Sequence, residues 1–282
     1  MSGLDPSLID RAARAIADAD ALIIGAGAGM GVDSGLPDFR GTQGFWRAYP
    51  PFAERGLRFE DVACPTWFRT DPALAWGFYG HRGNLYRATR PHEGFQILRR
   101  WADRRPSGGF VVTSNVDDHF ARAGFAEDRI VEVHGSIVFR QCLVNCGVGI
   151  FPAGDEDVAI DEATFRAMHP WPSCPRCGML ARPNILMFGD SGWDPMRADR
   201  QSVHLMAWLE AHARGGASVA IVEMGAGSAV ATIRRMCEGF ARTFRGTLIR
   251  INPREPEVPR GQIGLPGGAL ETLRLIDAAL GE

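Results

Sequence analysis

A chain of 282 residues can bury a large core, either as one domain or as one domain carrying an insertion. Its 45% hydrophobic and 23% charged residues suit an ordinary globular protein, and a formal net charge of −2 offers no basic field for gripping nucleic acid. No run of 18 apolar residues occurs, and Asp5 and Asp10 interrupt the start of the chain, so neither a membrane span nor a signal peptide is expected and the location is expected to be cytoplasmic.

In chain order, Ser7 to Ile16 places Leu8, Ala12 and Ile16 on one helical face, and Ala21 to Ile24 reads as a buried strand. The turn Gly25-Ala26-Gly27-Ala28-Gly29-Met30-Gly31 follows, where backbone N–H groups and a helix N-terminus can hold a pyrophosphate. Such a turn also fits a tight bend with no ligand. The acidic residue that a dehydrogenase carries about 20 residues further on is missing. Residues 41 to 90 are rich in aromatics and lack a strand pattern, and Leu74 to Arg82 within them reads as a helix. Apolar, β-branched runs recur at Phe110 to Val112, Ile130 to Val133, Ile185 to Phe188, Val219 to Val222 and Leu248 to Ile251, which predicts a parallel α/β sheet. Pro253 to Pro259 is a charged, proline-bearing loop.

Polar clusters fall just after these strands: Gly25 to Gly31, Thr113 to Asp117, His134 and Gly135, Gly189 and Asp190, Gly225 to Ser228, and Asn252. The carboxyl ends of strands in an open parallel sheet line one crevice, so these six segments are expected at a common site.

Six cysteines in a cytosolic chain of this size do not suit a disulfide framework. Cys142-x3-Cys146 and Cys174-x2-Cys177, with 27 residues between the pairs and Gly- and Pro-rich surroundings, have the spacing of two knuckles that supply four thiolates to tetrahedral zinc. Four ordinary buried cysteines are the alternative. A closed set of four thiolates leaves no open position, so the expected zinc is structural. Cys64 and Cys237 stand alone as packed or half-buried thiols.

Gly27-Ala28-Gly29 followed by Ser34-Gly35-Leu36-Pro37-Asp38-Phe39-Arg40 resembles the sirtuin signature, Gly-Ala-Gly and then Ser-Gly-Ile-Pro-Asp-Phe-Arg. Asn115-Val116-Asp117 resembles that family's Gln-Asn-Ile-Asp, His134-Gly135 its catalytic His-Gly, Arg182-Pro183 through Phe188-Gly189-Asp190 its Arg-Pro…Phe-Gly-Glu strand, and Ile251-Asn252 its late Ile-Asn. The departures are Gly31 for Ser, Ser114 for Gln, Asp190 for Glu, and Gly225-Ala226-Gly227-Ser228 where the family has Gly-Thr-Ser.

The resemblance implies an α/β fold: a Rossmann-like parallel sheet with a small zinc-ribbon and helical insertion module. Residues 1–40, 91–135 and 183–282 would form the NAD-binding domain, and the insertions 41–90 and 136–182 the small domain. It also implies NAD-dependent removal of acyl groups from protein lysines, giving nicotinamide and O-acyl-ADP-ribose. Gly27, Ala28, Gly29, Asp38, Phe39, Arg40, Ser114, Asn115, Asp117, Gly225, Ser228 and Asn252 would contact NAD, with Asn115 also catalytic. Leu186, Phe188 and Gly189 would meet the acyl-lysine peptide. His134 would take a proton from a ribose hydroxyl, work that needs a base with a pKa near neutrality. A histidine after a strand is otherwise more often structural, but this one ends a strand at the same edge as the glycine turn.

Tyr79 and Arg82, three apart on the expected helix, resemble the Tyr-x-x-Arg of sirtuins that remove malonyl, succinyl or glutaryl groups, although the second arginine of that motif is Gly83 here. Arg82 could hold a distal carboxylate through parallel hydrogen bonds while Tyr79 donates another. The alternative places Arg82 on a solvated face and Tyr79 in packing. The same nicotinamide pocket would serve an ADP-ribosyltransferase, an NAD glycohydrolase or a non-catalytic NAD or ADP-ribose sensor.

Overall fold

The computed structural model describes residues 4–37 and 42–281. Asp5 accepts the Ser7 N–H at 2.9 Å and Pro6 opens the first turn, so a helix starts at Pro6 and runs to Ala17. The strands in chain order are β1 (Ala21–Ala26), β2 (Gly109–Thr113), β3 (Ile130–Glu132), β4 (Gly135–Cys142), β5 (Ile150–Pro152), β6 (Ile160–Asp161), β7 (Arg166–Ala167), β8 (Ala181–Ile185), β9 (Val219–Met224), β10 (Thr247–Ile251) and β11 (Ile263–Leu265).

Six of them form a wholly parallel sheet in the order β3-β2-β1-β9-β10-β11. The chain starts at β1, winds outward to β3, then returns beside β1 at β9 and winds the other way. That reversal opens a crevice beyond the carboxyl ends of β1 and β9. Ala26 is in register with Thr113 on one side and Met224 on the other, so Gly27, Ser114 and Gly225 leave the sheet side by side.

Alternation along β1 builds two cores. Leu22, Ile24 and Ala26 face the layer holding the first helix, and Ala21 and Ile23 face the layer holding Trp208, Ile233 and Cys237. A third core belongs to the small module and is aromatic, with Phe45, Tyr49, Phe52, Phe68, Trp76, Phe78, Tyr79 and Tyr86. It surrounds the helix Pro72–Ala88, buried on nearly every side. Asp71 caps that helix through the Leu74 N–H at 3.2 Å and pairs with Arg166, and the Trp76 indole N–H donates to the Ala181 carbonyl at 3.0 Å.

Two expectations about strands are corrected. Ile185 to Phe188 is not a strand of the parallel sheet: β8 ends at Ile185 and pairs antiparallel with β4, which also pairs antiparallel with β5. The sixth parallel strand is instead β11, whose three residues pair with β10 after the charged loop. Because β4 and β8 pair with each other, the small sheet spans Gly135 to Ile185, slightly wider than the expected insertion of 136–182. Among the described residues, no helix is long and apolar enough to cross a membrane.

Candidate active site

The glycine turn spends most of its hydrogen-bonding capacity on the fold. The Gly27 N–H donates to Met224 O at 2.9 Å, the Gly29 N–H to Gly225 O at 3.1 Å and the Met30 N–H to Gly27 O at 2.9 Å. A Cβ on Gly29 would lie 2.7 Å from the Gly225 Cα, so this glycine is required by the close approach of two loops. The turn divides the crevice. Ala28 lines a cavity of about 350 Å³, whereas Gly29 lines a second one of about 220 Å³ with Gly225, Asn252 and Arg254.

Ser114, Asn115, Asp117 and His134 converge on the larger cavity from the ends of β2 and β3. The Asn115 N–H is anchored on Thr113 Oγ1 at 3.0 Å, while its buried side-chain Nδ2 has no partner among the described residues, leaving a donor for a ligand oxygen. Asp117 accepts the His119 N–H at 3.1 Å, and burial pushes its carboxyl up to about 6. Burial lowers the pKa of half-buried His134, and the Ser114 main chain beside it pulls the other way.

Tyr79 and Arg82 both face this cavity. Arg82 is only 7% exposed and therefore does not lie on a solvated face. Its Nε and Nη2 donate to the hydroxyl of Tyr86, at 3.1 and 2.7 Å, and its guanidinium lies 5.3 to 5.9 Å from the ring centres of Phe78, Tyr86, Tyr79 and Phe59. Tyr79 stacks on Phe68 at 5.7 Å.

Leu186 and Phe188 line the same cavity and are partly exposed; Gly189, at φ +65°, turns the chain behind them and does not line it. The Leu186 N–H donates to the His134 carbonyl at 2.9 Å and the Phe188 N–H to Ala63 O at 3.0 Å. Behind the ledge, the buried carboxylate of Asp190 takes two hydrogen bonds from Arg182 and the Met187 and Gly192 N–H groups, at 3.3 and 3.2 Å.

Around the second cavity, Asn252 donates to Ala226 O at 2.9 Å and accepts the Arg254 and Glu255 N–H groups at 3.0 Å. Ser228 lines neither cavity. It is exposed, and its N–H and hydroxyl both donate to Glu255 at 2.7 Å. Asp38, Phe39 and Arg40 lie outside the described residues.

The four paired cysteines gather in the small module with all sulfurs within 4.8 Å of one another. Cys142 and Cys177 sulfurs are 3.6 Å apart and Cys146 and Cys174 sulfurs 3.5 Å, far beyond a disulfide bond. Four ligands at the usual 2.3 Å from tetrahedral zinc stand about 3.8 Å apart. The cluster fits zinc.

Residues 27–208 match the Sir2 family. The chain belongs to that family, the sirtuins. This sirtuin is 33% identical over 180 residues to an NAD-dependent protein deacylase of Aeropyrum pernix, covering 63% of each chain. It is also 33% identical over 190 residues to the mitochondrial NAD-dependent protein deacylase sirtuin-5 of Danio rerio, covering 62% of this chain and 59% of that one. The matched stretch therefore spans under two thirds of these relatives. Likeness in three dimensions runs further: a mutant Sir2 homologue solved with ADP-ribose superposes with a TM-score of 0.72 at 28% identity over 95% of both chains. A Sir2 homologue solved with NAD gives 0.70 at 27% identity, over 96% of this chain and 93% of the other.

Three polar groups of this sirtuin were not among the expected site residues. Tyr86 and Glu255 are described above. His92 is the third: its Nδ1 accepts the Gly94 N–H at 2.9 Å, its Nε2 meets the Met30 carbonyl at 2.9 Å, and its own N–H donates to Ser34 Oγ at 3.0 Å. It thus caps the helix Glu93–Arg104 and grips the segment Ala28–Ser34 behind the glycine turn. A side-chain signal for it existed only as a histidine before a helical pattern.

Proposed function

We propose that this sirtuin removes acyl groups from protein lysine side chains with NAD as co-substrate, giving nicotinamide and O-acyl-ADP-ribose. One observation carries the reading: Asn115, whose Nδ2 has no partner among the described residues, and the His134 imidazole face a single cavity whose lining also includes Arg82 and the Leu186–Phe188 ledge. The printed names of the related deacylases support it. NAD, when bound, supplies the ribose carbon that nicotinamide leaves and the hydroxyl that must lose a proton. His134 takes that proton on a ring nitrogen. Asn115 donates through Nδ2 to an oxygen placed against it, and Asp117 borders the same pocket. Phe188 and Leu186 cover the cavity and keep water from the acyl end.

We further propose that the preferred acyl groups end in a carboxylate, because Arg82 lies buried in the cavity wall and its planar fork matches that group. The test follows nicotinamide release and peptide mass with NAD and acetyl-, malonyl- and succinyl-lysine peptides, for wild type and Arg82→Met. A ratio of succinyl to acetyl activity that collapses at least ten-fold in the variant supports both parts. Nicotinamide release without any change in peptide mass points to an NAD glycohydrolase, and no release at all to a sensor. Preference for acetyl-lysine, with both activities lowered equally by Arg82→Met, sinks the acidic-acyl part alone.

A further inference from the structure

A phenol oxygen has one proton to give and two lone pairs with which to accept. At Tyr86 both lone pairs are committed, to Nε and Nη2 of the same guanidinium, at 3.1 and 2.7 Å. The geometry follows from the helix Pro72–Ala88, on which residues 82 and 86 stand one turn apart on a shared face. Tyr86 is 5% exposed and lines the cavity of about 350 Å³, and among the described residues the only hydrogen bonds of its hydroxyl are those it accepts from Arg82. Its proton is therefore available to an acceptor that enters the cavity, water or ligand.

We propose that Tyr86 is a specificity-determining residue that donates its O–H to the terminal carboxylate of the acyl group, while its oxygen holds the Arg82 fork in place. This deepens the acidic-acyl reading of the same site and rests on it. The hydroxyl bonded to Arg82 is that of Tyr86, while Tyr79, three residues before the arginine, stacks on Phe68. Burial and the nearby Asp117 carboxylate push the Tyr86 hydroxyl above its ordinary pKa, with Arg82 pulling it down, so the proton stays in place across the working pH range. An arginine fixed in this way loses little rotamer freedom when a ligand arrives. Two carboxylates border the cavity: Glu60 lies on the exposed side, where solvent screens it, and buried Asp117, which burial pushes up to about 6, is close enough to feel both Arg82 and Tyr86.

Arg82 N–H groups and the Tyr86 O–H present donors alone, which has a consequence that packing would not have. A carboxylate offers acceptors on both oxygens, whereas a terminal amide of the same length turns one N–H group against a donor. The experiment uses the full chain with NAD and compares succinyl-lysine, its terminal amide and acetyl-lysine peptides, for wild type, Tyr86→Phe and Arg82→Met. Tyr86→Phe is expected to raise KM for succinyl-lysine and to lower the succinyl-to-acetyl ratio of kcat/KM about ten-fold, equivalent to about 1.4 kcal/mol. Wild type is expected to discriminate against the amide at least ten-fold, and Tyr86→Phe to narrow that gap. If Arg82→Met collapses the ratio and folded Tyr86→Phe leaves it unchanged, arginine alone reads the carboxylate and the proposal is overturned. If neither variant moves the ratio and wild type shows no acidic preference, the acidic-acyl reading fails and takes this role with it. Should Tyr86→Phe not fold, equal wild-type activity on the acid and the amide overturns the proposal by itself.

Discussion

Gly29 and Gly225 meet backbone to backbone at the centre of the crevice: the N–H of one donates to the carbonyl of the other at 3.1 Å, and a Cβ added to Gly225 would fall 2.5 Å from Gly29 atoms. Gly225 also sits at φ +58°, where a side chain is strained. Gly225→Ala is expected to destabilise the fold by about 1–3 kcal/mol through overpacking and to weaken nucleotide binding by parting the two cavities. Urea unfolding and NAD titration check this, and a variant with unchanged midpoint and affinity would show that the loops can separate freely.

His134 should set the acid limb of the pH profile. The proposed base is neutral imidazole, and burial lowers its pKa below the ordinary 6.5, so kcat/KM is expected to hold through neutrality and fall only as pH drops below that value. His134→Ala should slow deacylation by about 10²–10⁴ while NAD still binds. An acid limb above 6.5 in wild type, or a variant of near-normal rate, would remove His134 from the proton transfer.

Asp190 should matter for stability more than for chemistry. Its carboxylate and Arg182 form a buried pair, and removing one partner of such a pair typically costs about 3–5 kcal/mol. Asp190→Ala is expected to show that loss in thermal or urea unfolding and to raise KM for peptide as the Leu186–Phe188 ledge loosens. Stability within about 0.5 kcal/mol of wild type would mean that the pair contributes little net energy.

The zinc expectation has a direct measurement. One equivalent of zinc should accompany purified protein, and chelation or Cys174→Ser should unfold the small module, seen as lost near-UV signal from its aromatic core. Metal content well below half an equivalent, or an unchanged spectrum after stripping, counts against the site.

His92 should act through the segment it grips. Losing the helix cap in His92→Ala should cost about 1 kcal/mol, and the freed Ala28–Ser34 segment should raise KM for NAD more than it lowers kcat. Burial lowers the pKa of His92, with Met30, Asp33 and Glu93 favouring the charged form and Arg274 opposing it. The neutral ring is the one that accepts the Gly94 N–H. Its stabilisation is therefore present in full above about 6.5 and is lost as pH falls through the lowered folded value. His92→Asn, which can still cap, should recover thermal stability and abolish this pH dependence. Persistence of the same pH dependence in that variant assigns it to another group.

The parts of the fold visible in sequence were those with strong local pattern. β1, β2, β9 and β10 are buried β-branched runs, and their sheet order placed the turns after them at one crevice. β11 escaped because Ile263-Gly264-Leu265 is three residues long and its strand character comes from pairing with β10. Ile185 to Phe188 misled for the opposite reason: an apolar run after Arg182-Pro183-Asn184 imitates a strand of the parallel sheet, yet Ile185 ends the antiparallel β8, and beyond it Leu186 and Phe188 form an exposed ledge while Met187 is buried. The four cysteines were legible from their spacing, and Tyr79 and Arg82, singled out by resemblance to a Tyr-x-x-Arg motif, both line the large cavity. Tyr86 was not singled out, since the helical pattern was read only to Arg82 and glycines at 80 and 83 mask its continuation to Ala88. The grip of Glu255 on Ser228 joins residues 27 apart and leaves no local trace.

Phe59, Tyr79 and Tyr86 stand at once in the wall of the large cavity and in the aromatic core of the small module. Most proteins can vary a binding pocket while a separate core keeps them folded. Here the lining proposed to meet the acyl chain is also the material that holds the module around its helix. Any change that widens the pocket for a bulkier acyl group must open a void in that core, so lineages of this protein that shift substrate will have to acquire compensating packing elsewhere in the module at the same time.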